Sequence, residues 1–323
     1  MDGLSEVYAA LRLQAGIYFS TCFRGDFAIS LARERRSIRF HLVLEGECVV
    51  TVPDQNQVRL LEGDLILIPD GAPQILSSGD DLGAAEDLAQ VMQRSPPVEG
   101  VLSLGEAGMP CRLLCGFLRF DAGLDHPVLG SLPPLIVYRN SAEHAAAGVT
   151  AALSLLRAEA NESGPGRASI LQRVVEILLL QATRLSFADR SPRTGGFSRA
   201  LADPRLSKAL QLIHARPEQE WTLDTLASAA AMSRSRFAER FTGAVGLTPF
   251  AYLTQWRMIK ARELLGQPGL DMADVAERCG YRSVPAFGRR FAASFGIGPG
   301  EWRKRRLASL RGGPRARQNR ETG

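Results

Sequence analysis

Nowhere in these 323 residues do about 18 apolar residues follow one another without a charge, so the pattern of a bilayer-spanning helix is missing. The first residues, MDGLSEVYAALR, also lack a basic stretch followed by an apolar one, which is not the pattern of an export signal. A cytoplasmic protein with no membrane partner is expected. Cysteine is scarce: Cys22, Cys48, Cys111, Cys115 and Cys279 make an odd five with no C-x2-C pair. That argues against a secreted disulfide framework and a cysteine zinc site, and the thiols are expected to be reduced at rest. Apolar residues are not scarce. At 45% hydrophobic content the chain can build ordinary globular cores, and its length suits two domains.

The net charge of +5 conceals a division. Residues 1–200 carry 18 Arg against 23 Asp and Glu, or −5, whereas residues 201–323 carry 21 Lys and Arg against 11 acids, or +10. A basic half attracts phosphate backbones, because neutralised phosphates release condensed counterions. A solvated basic surface has the same charge, so sequence pattern must decide.

That pattern is a repeat. Phe237, Phe241, Gly246 and Pro249 are answered by Phe287, Phe291, Gly296 and Pro299, each set spaced F-x3-F-x4-G-x2-P. Two phenylalanines four apart share a helix face, glycine ends the helix in the left-handed conformation, and proline opens the next one. In the first unit Thr222 precedes a short helix with Leu223, Leu226 and Ala227 inward, and Ser233 is placed to cap the following helix. That helix presents Arg234, Ser235, Arg236, Ala238, Glu239 and Arg240 outward. In the second unit MADVAERC repeats the positioning helix, Ala276 replaces Ala227, and the turn is one residue longer. Its reader begins at Ser283 and offers Arg282, Val284, Pro285, Gly288, Arg289 and Arg290. Arginine can pair bidentately with guanine, so Arg289 is the leading base contact, with phosphate contact the alternative. Between the units, PFAYLTQWRMIKARELL forms a helix with Leu253, Trp256, Ile259 or Lys260, and Leu264 at helical spacing. The basic tail from Arg303, with 307–323 as its own segment after the helical domain, is expected to be disordered.

The acidic half reads differently. Apolar runs at 40–44, 48–52 and 65–68, separated by EGE, PDQNQ, EGD and PDGAP turns, predict β structure over 28–77. Residues 79–110 read as a long excursion, and CRLLCGFLRF at 111–120 returns as a strand. From 141 to 187 the period is helical, with Val149, Leu153 and Leu156 on one face and Ile170, Val174, Ile177 and Leu178 on another. The second helix of this hairpin is apolar over more than one stripe, so it must pack on the β domain or on a second copy; a homodimer is the favoured expectation. Residues 188–200 have linker composition.

The double repeat and its closing signature, GYRSVPAFGRRFAASFGIGPGEWR at 280–303, resemble the AraC/XylS family of bacterial transcription regulators over residues 201–306. The resemblance implies an all-α domain of two helix-turn-helix units joined by a long helix, whose readers enter successive major grooves about 34 Å apart. It also implies promoter DNA as partner, with contact to RNA polymerase during activation. Glu239 departs from the basic or amide residue common at its position, which shifts base reading toward the second helix. In residues 1–140, EGDLILIPDGAP at 62–73 resembles the second cupin motif, implying an α+β protein with an N-terminal cupin-like β-barrel and helical hairpin.

Enzymatic cupins follow that motif with a metal-binding histidine. Here Gln74 takes its place and the first motif offers only His41, so a metal-dependent cupin enzyme is the disfavoured alternative; no enzyme activity and no cofactor are expected. Cys22, with Arg24 two residues on, and the C-x3-C-G of residues 111–116 resemble the RclR-type subgroup, which implies redox sensing by Cys22 and Cys115. Two other readings stand beside it: a barrel that senses a small ligand, and a domain that only dimerises, with Cys115 an inert core thiol.

Overall fold

The computed structural model describes residues 3–11, 13–80, 83–119, 126–140, 147–162, 164–188 and 196–311. In chain order the elements are α1 (Gly3–Leu11), β1 (Gln14–Arg24), β2 (Ala28–Leu31), β3 (Ser37–Glu45), β4 (Glu47–Thr51), β5 (Val58–Leu61), β6 (Leu65–Ile68), β7 (Gln74–Ser77), β8 (Glu86–Asp87), α2 (Leu88–Arg94), β9 (Val101–Leu104), β10 (Pro110–Arg119), α3 (Pro127–Gly130), β11 (Ile136–Tyr138), α4 (Ala147–Asn161) and α5 (Arg167–Ala188). The helices α6 (Phe197–Ala202), α7 (Pro204–Ala215), α8 (Leu223–Ala229), α9 (Arg234–Val245), α10 (Pro249–Leu265), α11 (Met272–Arg278), α12 (Val284–Phe295) and α13 (Pro299–Arg311) complete the chain.

Two compact units emerge, and their boundary does not follow the sequence. One holds the strands with α4 and α5; the other holds α6 to α13 together with α1 and residues 126–128. No helix among the described residues is long and apolar enough to cross a membrane.

The β unit is two sheets rather than a closed barrel. One is ordered β11-β6-β3-β10-β1-β9 and the other β5-β4-β7-β2-β8. Between them lies a core of Phe19, Phe23, Val43, Cys48, Val50, Ile66, Ile68, Leu76, Cys111, Leu113 and Cys115. Strand β3 is buried on both faces, because Ile38, Phe40 and Leu42 turn away from that core and are also fully covered. Helix α5 packs on β1 and pairs with α4, and the Tyr138 hydroxyl donates to the Leu178 carbonyl. The buried face of α5 is Leu171, Val174, Val175, Leu178, Leu179 and Ala182, so intramolecular packing covers most of its apolar surface. Ile170 and Ile177, expected on that face, are exposed, as are Leu185 and Leu155 of α4. At the second cupin motif, Gly71 has φ 53°, and a Cβ there would collide with the carbonyls of Glu34 and Ser37, so glycine is required.

Several expectations are corrected. Strand β1 lies outside the 28–77 segment read as β, and its partner β10 is about ninety residues away. The 79–110 excursion contains β8, α2 and β9. Within the 188–200 linker, Phe197–Ala202 is helical with Phe197 fully buried, while 189–195 lie outside the described residues. Helix α13 carries the tail to Arg311, so 303–311 is helical, and residues 312–323 lie outside the described residues.

Candidate nucleic-acid interface

Each helix-turn-helix unit is built from its caps outward. Thr222 and Asp271 open α8 and α11 with reciprocal capping boxes, satisfying the first free N–H groups of each positioning helix. Ser283 accepts from the Ala286 N–H at the start of α12. Ser233 occupies the matching position before α9 but makes no side-chain cap bond, contrary to the sequence expectation. Both readers end on a left-handed glycine, Gly246 with φ 79° and Gly296 with φ 74°. The turns differ. Ala231 holds φ 50° in the first, where Gly280 holds φ 73° in the second.

The paired phenylalanines are core, not contacts. Phe237, Phe241, Phe287 and Phe291 are all fully buried, and their burial fixes which face of each reader looks outward. In α9 that face exposes Arg234, Ser235, Arg236, Glu239 and Arg240; at α12 it exposes Arg282, Ser283, Val284, Pro285, Arg289 and Arg290. Neighbouring acids engage some of these cations: Arg234 pairs with Asp224, Arg282 with Glu220, and Arg240 with Asp203 at 2.7 Å. Arg290 donates to the Tyr281 hydroxyl. Among the described residues, the side chains of Arg236 and Arg289 have no such partner. Each is therefore free to meet an acceptor at no cost in an existing bond.

Sequence reasoning missed Arg257. From α10 its guanidinium donates to the carbonyls of Pro217 at 2.6 Å and Gln219 at 3.0 Å, just before the first unit. The same group lies against Gly280 and 5.9 Å from the Tyr281 ring in the second turn. One side chain thus braces both units, a role no local pattern announces.

The floor beneath α9 is polar. His126 Nδ1 accepts from the Val128 N–H at 3.1 Å, which leaves the proton on Nε2 to donate to the Tyr252 hydroxyl oxygen at 3.2 Å. Tyr252 in turn donates to His214 Nε2 at 2.6 Å, so His214 carries its proton on Nδ1, 3.5 Å from a Glu6 oxygen. His214 stacks on Trp256 at 4.0 Å, and Tyr252 meets the Phe241 ring at 5.9 Å. Burial holds both histidines below the usual imidazole range and pushes the Tyr252 hydroxyl up. The floor beneath α12 is mostly apolar: Met258, Leu265, Val275, Cys279, Phe287 and Phe291, with Phe295 and Trp302 alongside and the buried Arg262 guanidinium over both of those rings.

In the β unit the two singled-out cysteines do not meet. Register places Cys22 opposite Arg112 and Cys115 opposite Phe19, so the thiols sit three pairs apart and on opposite faces of the sheet. Cys22 is half-buried and Cys115 fully buried. Cys115 Sγ lies 3.1 Å from His41 Nδ1, and Gln74 Nε2 donates to His41 Nε2 at 2.7 Å. Burial holds His41 down to about 3 and raises the Cys115 thiol. Among the described residues no group of three or more His, Cys, Asp or Glu is arranged for a metal.

Residues 2–188 match a family model described as Cupin, and residues 226–305 one described as Helix-turn-helix domain. A putative AraC-like transcription regulator of Streptomyces antibioticus is 30% identical over 94% of this chain and 99% of its own length. The regulator AlkR of Acinetobacter baylyi is 28% identical over 94% and 99%. The RCS-specific transcriptional activator RclR of Escherichia coli is 27% identical over 94% and 98%. Among solved structures, the DNA-binding domain of AdpA in complex with a target DNA is 32% identical and spans 34% of this chain and 99% of that one, with a TM-score of 0.32.

Proposed function

The chain belongs to the AraC-like family of transcription regulators, and on that premise we propose that α9 and α12 read neighbouring major grooves of one promoter while the cupin unit sets the output. It is a DNA-binding transcription regulator; relatives aligned along nearly its whole length are regulators. The observation that carries the finer reading is the outward face of α12, where Arg289 stands exposed and unengaged beside Val284 and Pro285 on a fully packed scaffold. In this reading Arg289 contacts a base, whereas Arg234, Arg236, Arg282, Ser235, Ser283 and Arg290 position the phosphates, with Glu239 discriminating at the first groove. The exposed row of Ile170, Ile177 and Leu185 on α5 supports homodimerisation in the cytoplasm. A dimer bound at a promoter is suited to activation through contact with RNA polymerase.

The test is selection of the full-length protein on a pool of random duplexes. Enriched sequences with two determinants about 10 base pairs apart, weakened by a half-turn insertion between them, are expected. A pool that shows no enrichment overturns the reading.

Control by oxidation of Cys22 and Cys115 is the signal we favour, supported by the accessibility of Cys22 and by the likeness to a relative named for reactive chlorine species. Cys22, half-buried where Cys115 is buried, is the first thiol attacked, and joining it to Cys115 on the opposite face would require β1 and β10 to separate. Hypochlorous acid should change promoter output of the wild type but not of Cys22→Ser or Cys115→Ser. Unchanged wild-type output removes the redox reading and leaves DNA binding standing.

A further inference from the structure

Along the chain, the two helix-turn-helix units are joined through α10, a helix of 17 residues. A duplex whose second determinant lies one base pair further on presents that groove about 3.4 Å along and about 34° around the axis. To reject such a duplex, the protein must resist a twist of that size between its readers. One connecting helix resists twist and tilt less firmly than a helix with a second link beside it, and Arg257 supplies that link. It sits in α10 between Trp256, which stacks on His214 beneath α9, and Met258, which belongs to the core beneath α12.

The carbonyls that Arg257 grips, Pro217 at 2.6 Å and Gln219 at 3.0 Å, lie on backbone fastened to the first unit. There the Trp221 Nε1–H and the Gln219 N–H both donate to the Arg216 carbonyl, at 2.9 and 3.2 Å, and Thr222 follows at once as the cap of α8. On its other side the guanidinium, with the Glu218 carbonyl, occupies the space that a side chain on Gly280 would fill, and it lies near the Tyr281 ring. That turn is tied to α11, because the Tyr281 N–H donates to the Ala276 carbonyl at 2.9 Å. An ion pair between Glu220 and Arg282 joins the same two segments, but both side chains are exposed and such a pair contributes little. Arg257 is half-buried and makes two charge-assisted bonds, so most of the restraint rests on it. Only a planar fork can hold two carbonyls with its edge and leave its face against the second turn; a lysine ammonium cannot do both.

We propose that Arg257 determines which spacing between the two DNA determinants the protein accepts. It is a positioning residue: it closes α10, the 216–221 segment and the 280–282 turn into one frame, so that α9 and α12 meet the duplex as a single body. The proposal rests on the reading that the two helices enter successive grooves of one site. It adds a specificity that no base contact provides, since a spacer is rejected for its length whatever its sequence.

The experiment is fluorescence anisotropy of the full-length protein on the duplex enriched from the random pool and on versions with one base pair added to or removed from the spacer. Wild type should lose about tenfold in affinity for either change, roughly the effect of one mismatched base pair. Arg257→Met should bind the original duplex several-fold more weakly, yet lose less than about threefold when the spacer changes, so that its spacing profile flattens. Arg257→Lys, which keeps the charge without the fork, should fall between the two. Should Arg257→Met fail to fold, a flattened profile for Arg257→Lys carries the proposal and a wild-type profile for it overturns it. A uniform loss in Arg257→Met with the strict wild-type profile retained makes the residue a structural brace only and overturns the proposal, leaving the two-groove reading intact. A wild type indifferent to spacer length removes that reading and the proposal with it.

Discussion

The two helix-turn-helix units share a scaffold and differ in what supports it. Under α12 the core is apolar and aromatic apart from the buried Arg262; under α9 a directed chain of hydrogen bonds runs from Val128 through His126 and Tyr252 to His214 and ends near Glu6. A mainly apolar core fixes its helix chiefly by packing. A polar one also needs each member in one protonation state, because a buried group that loses its partner costs the full desolvation of that group. The unit with the more conditional support is also the one with Glu239 on its outward face.

The strongest challenge to this comparison is to remove the packing shared by both. Phe241→Ala and Phe291→Ala should each cost about 3–5 kcal/mol in chemical denaturation and weaken DNA binding in proportion. A much smaller loss at Phe241 would mean that α9 rests on its polar floor rather than on its phenylalanines. Next, Tyr252→Phe keeps the ring and removes the hydroxyl that joins both histidines, at a cost of about 1–3 kcal/mol. Acid probes the same chain. Because His126 and His214 are held neutral below their unfolded value of about 6.5, the unfolded chain takes up protons that the folded one refuses, so stability falls as pH drops below about 6.5. Amide exchange should then quicken in α9 and α10 before α12; simultaneous quickening would erase the distinction.

On the DNA side, Arg289→Ala should cost about 1–3 kcal/mol in binding and relax preference at a single base pair, measured by anisotropy on a panel of single substitutions. Uniform loss across the panel would make it a phosphate contact. The smallest effect concerns the turns. Ala231→Gly relieves a left-handed φ and should stabilise by up to about 1 kcal/mol, whereas Gly280→Ala should destabilise by more than that, since its Cβ would strike the Arg257 guanidinium and the Glu218 carbonyl.

What was legible in the sequence was local. Gly246 and Gly296 end their helices where the repeat places them, and the one-residue difference between the turns survives as four residues between α8 and α9 against five between α11 and α12. The outward residues of both readers followed from the phenylalanine spacing, because a helical face is fixed by its neighbours in sequence. Strand β1 was illegible because its pairing with β10 spans most of the β unit. The opposite faces of Cys22 and Cys115 were hidden for the same reason: strand alternation is visible only once register is known. Arg39 of β3, which the structure buries, gave no signal either, as a surface arginine and a buried one read identically until the sheets close over it.

The route of the chain through the reading unit bears on how such proteins are taken apart and recombined. Three separated segments build that unit: α1, residues 126–128, and everything from α6 onward. A fragment beginning at residue 196 would retain both readers and every phenylalanine of the repeat, yet it would leave behind Glu6 and His126 and uncover Tyr252 and His214. Exchange of sensors between relatives by a single crossover in the linker would graft a foreign α1 and a foreign residue 126 onto that floor, so the natural unit of exchange is three segments wide.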